Sequence, residues 1–210
     1  MCRLADVAAK RQPVDFDRYG RLHDDGKALI RGWLERAVAG PRDEPDFESF
    51  IYLWIAFNGW AACVTGEDAD HAWRDGLAAD PELNDLFAEL VAEPTPTAAA
   101  AGRFAELWPI FRVSDLRTRR IDYWAGGYSS RAEMTQAYLD AGARKYEPQC
   151  YLEHDEVPLD WGHTLAALYR VRCNLFHGEK ARGSENDRVV VARAHEALLA
   201  FLEASGLLRR

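Results

Sequence analysis

Toward the C-terminal end of the chain, the stretch YRVRCNLFHGEK from Tyr169 to Lys180 sets Arg170, Arg172, Cys173, Asn174 and His177 around Leu175 and Phe176. Cleavage of RNA through its own 2′-hydroxyl needs two things. One is a group that moves protons near neutral pH, and the other is a cation that stabilises the charge building on the phosphorane. Histidine suits the first task, because its unperturbed pKa is about 6.5. Arginine suits the second, because its planar fork engages two phosphate oxygens and keeps its charge. Arg172 and His177 supply both functions with no metal and no cofactor, and Asn174, Arg170 and Cys173 stand beside them as supporting residues. A plainer reading also exists. Histidine and arginine near a helix C-terminus interact favourably with the dipole, and an asparagine there can simply bond a neighbouring turn.

Spacing sharpens the question. Five residues of regular α-helix turn through about 500°, so Arg172 and His177 point about 140° apart. Arg170, seven residues before the histidine, lies within about 20° of its direction. Two arrangements bring Arg172 to bear: the helix unwinds at His177 as it approaches Gly178, or the partner of each histidine comes from another chain. Cys173 and His177 also repeat the spacing of Cys150 and His154, giving two Cys-x-x-x-His pairs that a tetrahedral zinc ion would accept. That spacing is less diagnostic than paired Cys-x-x-Cys knuckles, and buried thiols with surface histidines account for it as well. A Cys173 nucleophile with His177 as base is chemically conceivable, but nothing nearby offers an orienting acid or an oxyanion hole.

The elements that must hold these residues read as helices. Apolar positions from Phe16 to Val38 follow three-and-four spacing, and Gly40 and Pro41 would end that helix. DFESFIYLWIAFNGWAACVTGE is apolar nearly all round, which marks a buried central helix with Asp46 as N-cap and Gly66 past its end. DPELNDLFAELVAE starts with an aspartate cap and proline at the first helical position. EPTPTAAAAG is the one composition break and reads as a loop leading into a short helix. Beyond it come short helical pieces, the turn GGYSS, a helix from Arg131 to Tyr146 and an irregular acidic connection. Asp160 caps the helix that carries the polar cluster, Gly178 suits a left-handed C-terminal cap, and RVVVARAHEALLAFLEAS closes the chain. His163 and His195 fall on these helical patterns with no role assigned. The fold class is therefore all-α, an elongated helical bundle with a less regular inserted middle, in one domain over residues 1–210.

The run RCNLFHG resembles the Arg, four to six residues, His motif of the HEPN superfamily. FIYLWIAFNGWAAC is similar in character to the buried N-terminal helix of that family, and the order of elements, with the motif on the penultimate helix, agrees. Roughly half the chain takes part, and the segment from about Pro94 to Tyr146 does not. The resemblance implies a HEPN-like helical bundle, a homodimer whose arginine and histidine meet in one cleft between protomers, and metal-independent endoribonuclease activity. It also implies a setting in toxin-antitoxin or antiviral defence systems, with a nucleotidyltransferase-type antitoxin as a further partner. A non-catalytic module binding RNA, a nucleotide or a partner protein is the alternative within the same family, and a zinc-stabilised helical interaction protein is the third reading. The family pattern accommodates either arginine, and Arg172 matches the wording best. Many members carry a polar residue directly after the motif arginine, where this chain has Cys173.

Composition limits the rest. A net charge of −8 excludes coating nucleic acid by bulk attraction, so any RNA contact must be local. FRVSDLRTRRIDYW offers such a surface, with Arg112, Arg117, Arg119 and Arg120 beside Tyr123 and Trp124, although such a run is usually a solvated helix face with a buried aromatic edge. Cysteines at 2, 63, 150 and 173 are irregularly spaced in a chain large enough not to need staples, so reduced thiols are expected. The seven tryptophans are expected in the core. No segment approaches the ~20 apolar residues of a membrane span and no leader is evident, so no membrane partner and a cytoplasmic location are expected.

Overall fold

The structure, a computed structural model, describes residues 13–39, 47–118, 131–140, 158–178 and 184–208. Over these residues the chain is an all-α helical bundle. Its first helices are α1 (Asp17–Arg21), α2 (Asp24–Val38), α3 (Phe47–Thr65), α4 (Asp70–Ala78) and α5 (Pro81–Ala92). They are followed by α6 (Pro96–Ala105), α7 (Val113–Thr118), α8 (Arg131–Asp140), α9 (Trp161–Phe176) and α10 (Glu185–Ser205).

The axis of the bundle is α3, against which α1, α2, α4 and α10 pack. Its all-round apolar character has the expected consequence: Phe50, Leu53, Trp54, Ala56, Phe57, Trp60, Ala61 and Val64 are all buried. By length and composition this helix could cross a membrane, contrary to the expectation that no segment comes near that threshold, yet most of it lies inside the protein. Aromatic rings fill the space around it. Trp54 and Phe57 meet Trp73 of α4, Phe57 meets Trp161 of α9, and Trp161 in turn lies 4.4 Å from Phe201 of α10. Trp54, Trp60, Trp73, Trp108 and Trp161 are buried and Trp33 is half-buried, while Trp124 lies outside the described residues.

Local capping chemistry sets several helix ends. Asp80 Oδ1 accepts from Leu83 N at 2.9 Å with Pro81 at the first helical position, and Asp160 Oδ1 accepts from His163 N at 2.8 Å. Gly66 follows α3 at φ +69°, a left-handed backbone conformation that favours glycine, with the Arg18 guanidinium beside it. Two expectations need correction and one holds. The helix expected from Phe16 to Val38 is two, because Leu22 and His23 take extended ψ values of 141° and 146° and the His23 ring caps the second by accepting from Asp25 N. EPTPTAAAAG is, as expected, a loop leading into a short helix: Thr95 caps α6 by accepting from Ala98 N at 3.0 Å, Pro96 is its first residue, and α6 packs against α10. The final helix begins a turn earlier than its apolar pattern, at Glu185 after the Ser184 cap. Asp46, Gly40, Pro41 and residues 141–146 of the helix expected from Arg131 fall outside the described residues.

Candidate active site at the C-terminal end of α9

Helix α9 is tied at both ends and on two sides. At its start the Trp161 indole donates to Leu77 O of α4 at 2.9 Å, and the His163 ring meets the Asp160 carboxylate at 2.8 Å. At its far end Asn174, only 1% exposed, uses both halves of its amide on the backbone ahead of α7. Its Nδ2 donates to Phe111 O at 2.8 Å and its Oδ1 accepts from Val113 N at 3.3 Å. The expected supporting residue is therefore occupied in fastening α9 to the 111–113 segment. Phe111 continues the contact onto α8 through Tyr138, with ring centroids 5.2 Å apart.

Arg172 leaves the opposite side of the helix, toward α4. Its Nη2 lies 2.7 Å from Asp70 Oδ2, with the two side chains 21% and 25% exposed. Its guanidinium carbon stands 4.7 Å from the Phe176 ring centroid and 6.0 Å from that of Tyr169, while Arg74 of α4 stands 4.7 Å over the same Tyr169 ring. The Arg172 Nε is buried with no hydrogen-bond partner among the described residues. Burial pushes the Tyr169 hydroxyl above its ordinary pKa, and the neighbouring Cys173 adds to that effect. Cys173 is itself buried, which withdraws it from solvent as a nucleophile.

His177 is the C-cap of α9, at φ −88° and ψ 9°, and its side chain is exposed. Gly178 follows at φ +67°, the left-handed cap expected from sequence. α9 is helical through Phe176 and ends at His177; on a regular helix the five-residue spacing sets Arg172 and His177 about 140° apart. Arg170, which the seven-residue spacing sets within about 20° of the histidine's direction on a regular helix, is 9% exposed.

The remaining candidates are distributed differently. Arg117 belongs to α7, and Arg119 and Arg120 lie outside the described residues, as do Cys150 and His154. Among the described residues no group of three or more His, Cys, Asp or Glu side chains stands close enough to hold a metal ion. Cys63 and Cys173 are free thiols. Sequence reasoning missed Asp70 and the aromatic partners of Arg172. The aromatic pair had a signal, since Tyr169, Arg172 and Phe176 are spaced three and four apart and share a helix face. Asp70 had none, because its partner is far along the chain. Comparison of the chain with protein-family models, with curated proteins and with solved structures finds no match.

Proposed function

We propose that this chain is a HEPN-like, metal-independent endoribonuclease that cleaves single-stranded RNA as a homodimer. The observation that carries the reading is an exposed histidine closing α9, with an arginine five residues earlier that faces α4 through Asp70. A two-fold axis near the end of α9 would offer the Arg172 of one protomer to the His177 of the other, so the divergence within one chain becomes complementarity between two. In the cleft, His177 takes the proton of the 2′-hydroxyl, the 2′-oxygen attacks phosphorus, and Arg172 stabilises the charge on the equatorial oxygens. The bond to the 5′-oxygen then breaks and that oxygen takes up a proton, leaving a 2′,3′-cyclic phosphate and a free 5′-hydroxyl. The resemblance of the motif supports a toxin or defence role, with a nucleotidyltransferase-type antitoxin as partner.

A second reading is favoured by a specific observation. Asp70 already engages Arg172 Nη2, as expected if the arginine is structural and the chain is a non-catalytic module of the same family that binds RNA, a nucleotide or a protein.

One experiment separates the two. Purified protein should cleave mixed RNA in the presence of a chelator. His177→Ala should lose about a thousandfold in rate with an unchanged melting temperature, since an exposed cap residue contributes little packing. Mixing Arg172→Ala chains with His177→Ala chains, after exchange is verified with two affinity tags, should restore part of the activity, because one crossed pair is then complete. Exchange without recovery rules out the shared site, and an intact protein with no cleavage supports the non-catalytic module.

A further inference from the structure

Tyr169, Arg172 and Phe176 are not three separate neighbours of the motif. With Arg74 they form an alternation of cation and ring that runs from α4 to the last residue of α9. Arg74 stands over Tyr169, and Arg172 is shared between Tyr169 and Phe176. The inner members are fixed from several sides. Asp70 holds Arg172 at 2.7 Å, Asp75 pairs with Arg74, and the Tyr169 ring packs 6.2 Å from Trp54 and 6.4 Å from Trp73. The outermost member, Phe176, is 48% exposed and adjoins the exposed His177.

An aromatic side chain left open at the end of a rigid stack, with a guanidinium on its surface, suits a flat π-system. Its ring offers one flat face of about the size of a base, at the helix end where the proposed dimer would form its cleft. A base within a duplex has both faces covered, so only an unpaired base can reach such a ring. Because Arg172 and its supports are already ordered, docking a base there costs little further conformational entropy.

We propose that Phe176 is a stacking platform for an unpaired nucleobase beside the phosphodiester, which makes it a determinant of single-strand specificity. The choice of ligand rests on the ribonuclease reading. Purines, with the larger ring face, should bind better than pyrimidines.

The test uses 2′-O-methylated decamers of adenine and of uracil, whose attacking hydroxyl is blocked, with binding measured by titration calorimetry on the intact protein at fixed salt. The wild type should bind the adenine decamer several-fold more tightly than the uracil decamer. Phe176→Ala should weaken the adenine decamer about tenfold and bring the two to parity. Phe176→Trp should keep the adenine preference, and Phe176→Leu, with apolar bulk and no ring, should not. Adenine affinity that survives in the alanine or leucine variant overturns the platform, as does a wild type that binds neither decamer. Cleavage of unmodified RNA is followed in parallel. Phe176-dependent binding without cleavage keeps the platform and removes the ribonuclease, whereas cleavage with decamer affinity indifferent to residue 176 does the reverse.

Discussion

The two sides of α9 hold polar residues in different ways. Toward the 111–113 segment, Asn174 is 1% exposed and bonds backbone groups of another part of the chain. Toward α4, Arg172 is held by a side chain, with about a fifth to a quarter of each partner open to solvent. A backbone-bonded amide cannot release its partners without stranding a buried carbonyl and a buried N–H, so it specifies structure. A partly exposed ion pair is worth little in stability, about 1 kcal/mol at most, so an incoming anion can compete for it. Residues two positions apart can thus be excluded from ligand exchange or open to it, according to what they bond and how deeply.

The contrast is broken most directly at Asn174. Asn174→Ala should lower unfolding free energy by about 3 kcal/mol, because two buried backbone groups are left unpaired. Urea denaturation measures this, and a loss below about 1 kcal/mol would mean that the 111–113 segment re-forms its bonds elsewhere. The α4 side should respond far less. A double-mutant cycle with Asp70→Asn and Arg172→Gln should give a coupling of about 0.5 kcal/mol that shrinks as salt is added. A coupling above about 2 kcal/mol would make that pair structural and erase the difference between the sides.

The smallest effect is alkaline. The Tyr169 pKa is raised above the ordinary 10.0, chiefly by burial, so the folded protein keeps the proton where the unfolded chain has lost it. The stability this group contributes is complete below the unfolded pKa and is lost as pH rises through the raised one. Tyr169→Phe, which cannot ionise, should make the fall in stability above about pH 10 shallower by up to one proton's slope, as read from urea midpoints across that range.

What could be read from the sequence follows the reach of the forces involved. Asp80 with Pro81, Asp160, Gly66 and Gly178 mark helix ends through atoms within a few residues, and each end was legible. The all-round apolar character of α3 likewise announced a central helix. The interruption at Leu22 and His23 was hidden because the apolar spacing continues across it. Helix α4 was overlooked altogether: it is short, and its buried side is little more than Trp73 and Leu77. That omission removed Asp70 and Arg74, and with them the surroundings of Arg172. The divergence of Arg172 and His177 could be computed from helix geometry alone. Which neighbour claims each of them is a tertiary fact, set by α4 on one side and the 111–113 segment on the other.

The placement of Tyr169 also has an optical consequence. Its ring, under Arg74 and Arg172, lies within van der Waals packing range of Trp54 and Trp73, whose buried indole N–H groups have no hydrogen-bond partner. Indoles in so apolar a setting emit at short wavelength, and two arginine charges held nearby through one intervening ring perturb that emission. Trp54 of α3 and Trp73 of α4 therefore stand beside the motif helix as native reporters, and displacement of Arg172 from Asp70 should register as a change in tryptophan emission with no label attached.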